Sequence, residues 1–299
     1  MRHSLLVYDD DDEMVAHTAP FLRQGLAGGE RAVAVLDRPK WDTLARALGP
    51  DAEAVLYVER LAFYTRPEAA IAQYDGLLRR YERTGVRAVR VFAELPPCRT
   101  AEELDQWLAY EAIFNRAFAH HSLWVTCGYD TREVQPSLLE GALETHPEIL
   151  AEESARNPRY HEPEEVVRAR TPTPGPLAGL HALSLDDGPR GFRRALGAEL
   201  ETAQVSEPDA VGMLVAAEEV LRNATRHGGE ALSVRVGRVG DRFVCEIADD
   251  GSGIDDPLAG FLPPRHGHTE GAGLWVARQR TRKLELVPSE RGATVRLSV

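Results

Sequence analysis

Glu218-Glu219-Val220-Leu221-Arg222-Asn223-Ala224-Thr225-Arg226-His227-Gly228 is the stretch whose spacing decides the fold of the second half of the chain. At about 100° per residue, Glu219, Asn223 and His227 are successive i,i+4 neighbours and make one polar stripe along a helix. Met213, Ala217, Val220, Leu221 and Ala224 make the adjoining apolar face, which should pack on a sheet. Glu218, Arg222 and Arg226 fall on the far side, where Glu218 and Arg222 read as an ordinary solvated pair. The spacing therefore separates two adjacent glutamates: Glu219 shares the stripe of Asn223, and Glu218 does not. An amide on the edge of a core face can place its carbonyl oxygen on Mg²⁺, and a carboxylate one turn back can act as a base.

Downstream, the strand residues 244–248 lead into Asp249-Asp250-Gly251-Ser252-Gly253-Ile254, and Gly271-Ala272-Gly273-Leu274 opens a helix. A buried carboxylate at a strand end can accept a hydrogen bond from an exocyclic amine such as adenine N6. Glycines let the backbone approach a flat ring without Cβ clashes, and amides at a helix N-terminus can hold phosphate. Each glycine pair alone reads as turn chemistry. Ordered as E-x-x-x-N, D-x-G-x-G, G-x-G and Gly292-Ala293-Thr294, the four elements are far more specific.

With these motifs, residues 177–299 resemble the ATP-binding domain shared by gyrase, Hsp90, histidine kinases and the MutL repair proteins, the GHKL or Bergerat-fold superfamily. The run 219–228, E-V-L-R-N-A-T-R-H-G, most resembles the anti-sigma-factor serine kinase branch. The short lid 254–270 and Gly271-Ala272-Gly273-Leu274-Trp275 are similar to that branch too. The resemblance implies that Asn223 ligates Mg²⁺, Glu219 activates an attacking hydroxyl and Asp249 reads adenine. It also implies that Gly251, Gly253, Gly271 and Gly273 shape pocket and lid, that Thr294 supports Asp249, and that His227 joins the cofactor-binding residues. Asp250 falls outside the D-x-G-x-G spacing and reads as a turn residue.

Around this core, helices near 191–202 and 209–227 precede a hairpin with arms 231–238 and 242–249. A helix near 274–283 and strands near 284–287 and 293–299 follow, which together make a two-layer α+β sandwich. The first 150 residues have another pattern. Candidate strands at 5–8, 32–36, 54–58, 88–92 and 122–127 alternate with helices near 13–26, 39–48, 68–84, 101–119 and 135–143. Continuous apolar strands need both faces covered, so this half reads as a three-layer α/β domain with a parallel sheet. Residues 151–176, with prolines at 158, 163, 172, 174 and 176, read as a linker.

In the first half neither Lys40 nor any other lysine follows a G-x-x-x-x-G pattern, so there is no Walker phosphate site. A receiver domain would need a lysine after its last strands, and none stands there. The acidic run Asp9-Asp10-Asp11-Asp12-Glu13 reads as a cap for the first helix. His3 directly before the first strand, Cys127-Gly128-Tyr129-Asp130-Thr131 at the end of the fifth, and Thr145-His146-Pro147-Glu148 resemble the MEDS sensory domain of methanogen and methylotroph sensors. So do Phe21-Leu22, Gly25-Leu26 and Gly29-Glu30. The resemblance covers residues 1–150 and implies a RecA- or KaiC-like core that senses a small molecule. Ligands in open α/β sheets bind beyond the carboxyl ends of strands, which makes Tyr8, Asp9, Glu94, Cys127 and Tyr129 the ligand candidates. Cys127 with His146 or His121 lacks paired metal-ligand spacing, and a buried structural thiol is the plainer reading of it.

The 299 residues carry 35 basic and 47 acidic side chains, a net charge of −12. That argues against nucleic acid or an anionic membrane as the main partner. No apolar run reaches the ~18 residues of a membrane span, and three cysteines make no disulfide framework, as in a reducing cytoplasm. Basic charge is nearly all arginine, with Lys40 and Lys283 the only lysines. Together the halves resemble the anti-sigma regulatory proteins of actinobacteria. That implies a cytoplasmic regulator that binds a sigma factor and uses ATP and Mg²⁺ to phosphorylate a serine or threonine of a STAS-type antagonist. A non-catalytic, ATP-dependent binding module is the alternative, and the oligomeric state, homodimer included, stays open. A histidine autokinase is disfavoured, because His146, His161 and His181 begin no long amphipathic helix.

Overall fold

Asp10, Asp37 and Thr100 follow three of the apolar runs of the first half and cap the helices that come next, and strands and helices alternate accordingly. The computed structural model describes residues 1–150, 154–185, 188–227, 232–264, 272–287, 289 and 291–299. The chain divides into two units, Met1–Thr171 and Pro172–Val299.

The first unit runs β1 (Arg2–Tyr8), α1 (Asp11–Ala27), β2 (Arg31–Leu36), α2 (Arg38–Leu48), β3 (Val55–Glu59), α3 (Arg60–Phe63) and α4 (Pro67–Arg83). It continues with β4 (Val89–Glu94), α5 (Ala101–Ala117), β5 (Leu123–Asp130), α6 (Pro136–Thr145), β6 (Glu148–Leu150), β7 (Ser154–Arg156) and α7 (Pro163–Arg170). The seven-stranded sheet has the order β3-β2-β4-β5-β1-β6-β7, parallel except where β7 meets β6. The expected parallel α/β domain is present. His3 lies within β1, not before it. The acidic run does cap α1: the Asp10 side chain accepts from the Glu13 amide at 2.7 Å, and Asp11, Asp12 and Glu13 lie in the first turn.

The stretch 151–176 is not a free linker in its described part. β7 pairs with β6, and α7 packs on α5. Pro163 stands at the start of α7, where its missing N–H costs nothing, and Val166 and Val167 are buried. Arg170 holds Glu144 at 2.6 Å and Asp105 at 3.1 Å. Proline content alone therefore placed the boundary too early; the first unit extends to Thr171.

The second unit comprises β8 (His181–Ala182), α8 (Gly188–Thr202), α9 (Glu207–His227), β9 (Leu232–Val239), β10 (Arg242–Asp249), α10 (Ala272–Arg280), β11 (Lys283–Val287) and β12 (Thr294–Ser298). Its sheet is antiparallel, in the order β11-β12-β10-β9-β8. Helices on one face make the α+β sandwich, with Phe192, Leu196, Met213, Val220, Cys245 and Leu297 in the core. The Ser206 hydroxyl accepts from the Asp209 amide at 3.4 Å and starts α9. Gly212 lets α9 close on α10, because a Cβ there would stand 2.3 Å from the Arg280 carbonyl oxygen. Among the described residues, no helix is long and apolar enough to cross a membrane. All three cysteines are free and buried.

Candidate functional site

Asn223 and His227 of the α9 stripe, but not Glu219, line one cavity of about 330 Å³ together with Asp249 and Gly253 at and after the carboxyl end of β10. Its size lies within the roughly 300–1,000 Å³ of small-molecule sites. Asp249 is held from behind. Its Oδ1 accepts from the amides of Gly251 at 2.9 Å and Ala293 at 3.3 Å, and its own amide donates to the Ala293 carbonyl at 2.9 Å. Oδ2 has no hydrogen bond among the described residues, so the carboxylate is oriented and still has an acceptor to offer.

Thr294 does not supply that support. It pairs with Ala248 in the β10–β12 ladder, and no hydrogen bond joins its side chain to Asp249 among the described residues. The Ala293 amide does the work instead, because a strand places alternate groups on opposite faces. Gly292 makes the arrangement possible: φ is +68°, and a Cβ there would lie 1.9 Å from the Asp249 carbonyl oxygen. Gly253, at φ +81°, would bring a Cβ within 3.1 Å of the Gly292 carbonyl. Gly292→Ala is expected to destabilise the second unit by about 1–3 kcal/mol and to displace Asp249. Denaturant unfolding with nucleotide titration checks this; unchanged stability and affinity would show that the loop tolerates a side chain. Gly228, Gly271 and residues 265–270 lie outside the described residues.

Glu219 is half-buried beside α10, where a Cβ on Gly273 would stand 3.3 Å from its Oε2. The charge pairing around it differs from the expected pattern. Arg222 reaches back one turn to both oxygens of Glu219, at 3.0 Å each, while Glu218 pairs with Arg193 of α8 at 2.7 Å. Helical side chains lean toward the N-terminus, so position i+3 meets i as readily as i+4 does. Farther on, the buried Arg278 lies 3.5 Å over the Phe261 ring and donates to the Ala259 carbonyl at 3.4 Å, which ties segment 254–264 to α10.

In the first unit the five ligand candidates do not converge. Parallel register places Leu5 beside Cys127 and Tyr8 beside Asp130, so Cys127 and Tyr129 share one face, and Tyr8 and Asp130 share the other. On the second face, Tyr8 donates a short hydrogen bond to Glu94. Lys40 holds Glu94 at 2.9 Å and Asp130 at 3.0 Å, and Arg60 holds Glu94 at 3.1 Å. Burial disfavours the Lys40 charge, yet Glu94, Asp130 and Glu133 outweigh it and raise its pKa. Only about 10 Å³ of space remains beside Glu94 and Asp130, too little for a ligand. Asp9 is an exposed turn residue whose amide donates to Glu13.

On the first face, Cys127 and Tyr129 meet His3 of β1, Glu111 of α5 and His146 after α6, all buried. His3 Nε2 lies 3.2 Å from Glu111 Oε2 and 3.3 Å from Cys127 Sγ, and His146 Nε2 lies 3.6 Å from the same carboxylate oxygen. The Tyr129 hydroxyl donates to Glu111 Oε1 at 3.3 Å. Burial pushes the Cys127 thiol well up and the His146 imidazole down to about 3. A fully buried His146 cannot serve as a phosphoacceptor for an incoming kinase domain.

Residues 2–147 match the family model described as MEDS, the MEthanogen/methylotroph, DcmR Sensory domain. Residues 185–299 match the model of the histidine kinase-like ATPase domain. The chain joins a MEDS domain to a histidine kinase-like ATPase domain. No curated protein matches it. An ATPase domain of this type implies ATP binding. The residues present fit an adenine nucleotide, since an oriented carboxylate and a glycine held at positive φ flank a cavity of suitable volume. Asn223 and His227, both on α9, line the same cavity.

Sequence reading missed Lys40, Glu111 and Asn115. Glu111 and Asn115 are i,i+4 partners inside the apolar run 107–118, and two polar residues on the buried side of a helix were the available signal. Lys40 offered only its rarity in an arginine-rich chain.

Proposed function

We propose that the chain is a cytoplasmic signalling regulator whose ATPase domain phosphorylates a serine or threonine of a STAS-type anti-sigma-factor antagonist. The same domain would dock on a sigma factor, and a small molecule acting on the MEDS domain would control it. The observation that carries this reading is the i,i+4 pair on α9. Asn223 lines the cavity, while Glu219, one turn back, stands beside Gly273 at the start of α10. ATP with Mg²⁺ supplies the phosphoryl group and neutralises its charge when bound. Asn223 would offer its amide oxygen to the metal, Asp249 would accept from the adenine amine, and Glu219 would take the proton of the attacking hydroxyl.

One feature favours a second reading, a nucleotide-dependent binding module without catalysis. Arg222 holds both oxygens of Glu219, so the guanidinium occupies the carboxylate that would have to accept the hydroxyl proton. Arg222 is largely exposed, so a docking substrate could draw it away. Incubating the full chain with γ-labelled ATP, Mg²⁺ and STAS-type antagonists separates the two. Label on a serine or threonine of one antagonist is the expected result; ATP binding with no label on any antagonist supports the binding module.

A further inference from the structure

The cluster on the first face of the MEDS sheet has more acceptors than protons. Asn115 donates through its NH₂ to the carbonyls of Glu111 at 3.2 Å and Thr145 at 2.7 Å, which fixes the amide and leaves Oδ1 to accept. His3 Nδ1, 3.0 Å from that oxygen, must therefore carry a proton. His146 Nδ1 lies 2.8 Å from the Ala142 carbonyl and carries one for the same reason. In the neutral rings both Nε2 lone pairs then point at Glu111 Oε2, toward which only the Cys127 thiol carries a proton among the described residues, since the Tyr129 hydroxyl donates to the other oxygen, Oε1. His146 Nε2 is buried with no hydrogen-bond partner. Lone pairs converging on a carboxylate in a dry interior repel unless something positive lies between them.

We propose that His3 Nε2, Glu111, Cys127 Sγ and His146 Nε2 bind one divalent transition-metal ion of the zinc type. Bonds of about 2.0–2.2 Å to nitrogen or oxygen and about 2.3 Å to sulfur put tetrahedral donors roughly 3.3–3.6 Å apart. Four of the six donor–donor separations are 3.2, 3.3, 3.6 and 3.8 Å, and all four donor atoms lie within 4.8 Å of one another. Binding releases the Cys127 proton to solvent, and thiolate plus carboxylate then balance the two positive charges, as burial requires. The hydrogen bonds of His3 to Asn115 and of His146 to Ala142 are the outer contacts that orient metal-bound imidazoles. Four protein donors leave no open position, so the ion would clamp β1, β5, α5 and α6 together and would not carry out chemistry. The other acidic group of this unit, Asp37, Glu94 and Glu133, already holds the cations Lys40 and Arg60 and needs no ion.

The full chain tests this, purified without chelators, assayed for metals by mass spectrometry, then stripped and titrated with Co²⁺. One zinc-type ion per chain is expected, and Co²⁺ should give the strong visible bands of a four-coordinate site with a thiolate-to-metal charge-transfer band. A Cys98→Ser, Cys245→Ser variant, in which Cys127 is the only thiol, should keep that band. Cys127→Ser should lose it, and Asn115→Ala should weaken Co²⁺ binding about 10–100-fold. The double variant decides the matter even if Cys127→Ser fails to fold. No metal in the purified chain together with no charge-transfer band on titration would overturn the proposal. A band absent from the double variant, or full metal content in a folded Cys127→Ser chain, would overturn it as well.

Discussion

Glu219→Gln is expected to bind ATP as the unaltered chain does and to transfer phosphoryl groups about 10²–10⁴-fold more slowly. Glutamine keeps the size and half-buried position of Glu219 beside Gly273 but cannot take a proton. It also gives up the ion pair with Arg222, an exposed contact worth about 1 kcal/mol or less, so the fold should tolerate the change. Glu218→Gln is the matched control, because Glu218 turns to Arg193 instead. Its kinase rate should stay close to that of the unaltered chain. Equal rates for all three proteins would remove Glu219 from catalysis and favour the binding module.

The second large effect concerns stability. Lys40→Met should destabilise the MEDS domain by about 3–5 kcal/mol, because removing one partner of a buried ion pair strands the other charge. Lys40 is 6% exposed and lies between Glu94 and Asp130, which are 3% and 2% exposed. Arg60 still reaches Glu94, but Asp130 would keep only the Arg132 ion pair among the described residues. Lys283→Met, at the other lysine, touches a surface pair with Glu285 and should cost less than about 1 kcal/mol. Fluorescence-detected unfolding suits the comparison, since Trp41, Trp107 and Trp124 report on the MEDS domain and only Trp275 on the other. Equal midpoints for the two lysine variants would mean that the buried network contributes little.

The local signals read from sequence were those that strand and helix periods carry. The stripe of Asn223 and His227, the D-x-G-x-G turn and the hairpin of β9 and β10 lie where their spacing put them. What depends on side-chain direction did not follow. Arg222 could reach Glu218 or Glu219, and only packing against α8, where Arg193 takes Glu218, settles the choice. The ligand candidates of the MEDS domain were gathered by strand ends, but strand ends say nothing of face. Pleating sends Tyr8 and Glu94 one way and Cys127 and Tyr129 the other. Glu111 stayed hidden because an acid inside an apolar helical run has no local partner; its partners come from β1, β5 and α6, up to 108 residues away in sequence. Proline content misplaced the linker because Pro163 begins a docked helix.

Titration calorimetry of the full chain with ATP, with and without Mg²⁺, tests the central claim most directly. Saturable binding of one ATP per chain that requires Mg²⁺ is the predicted result. Asn223→Ala should abolish the Mg²⁺-dependent binding. Asp249→Asn, which removes the charge of an acceptor held by two backbone amides, should weaken adenine recognition roughly ten- to hundredfold. ATP affinity unchanged in both variants, or no ATP binding by the unaltered chain, would contradict the assignment of the cavity between α9 and β10 as the nucleotide site.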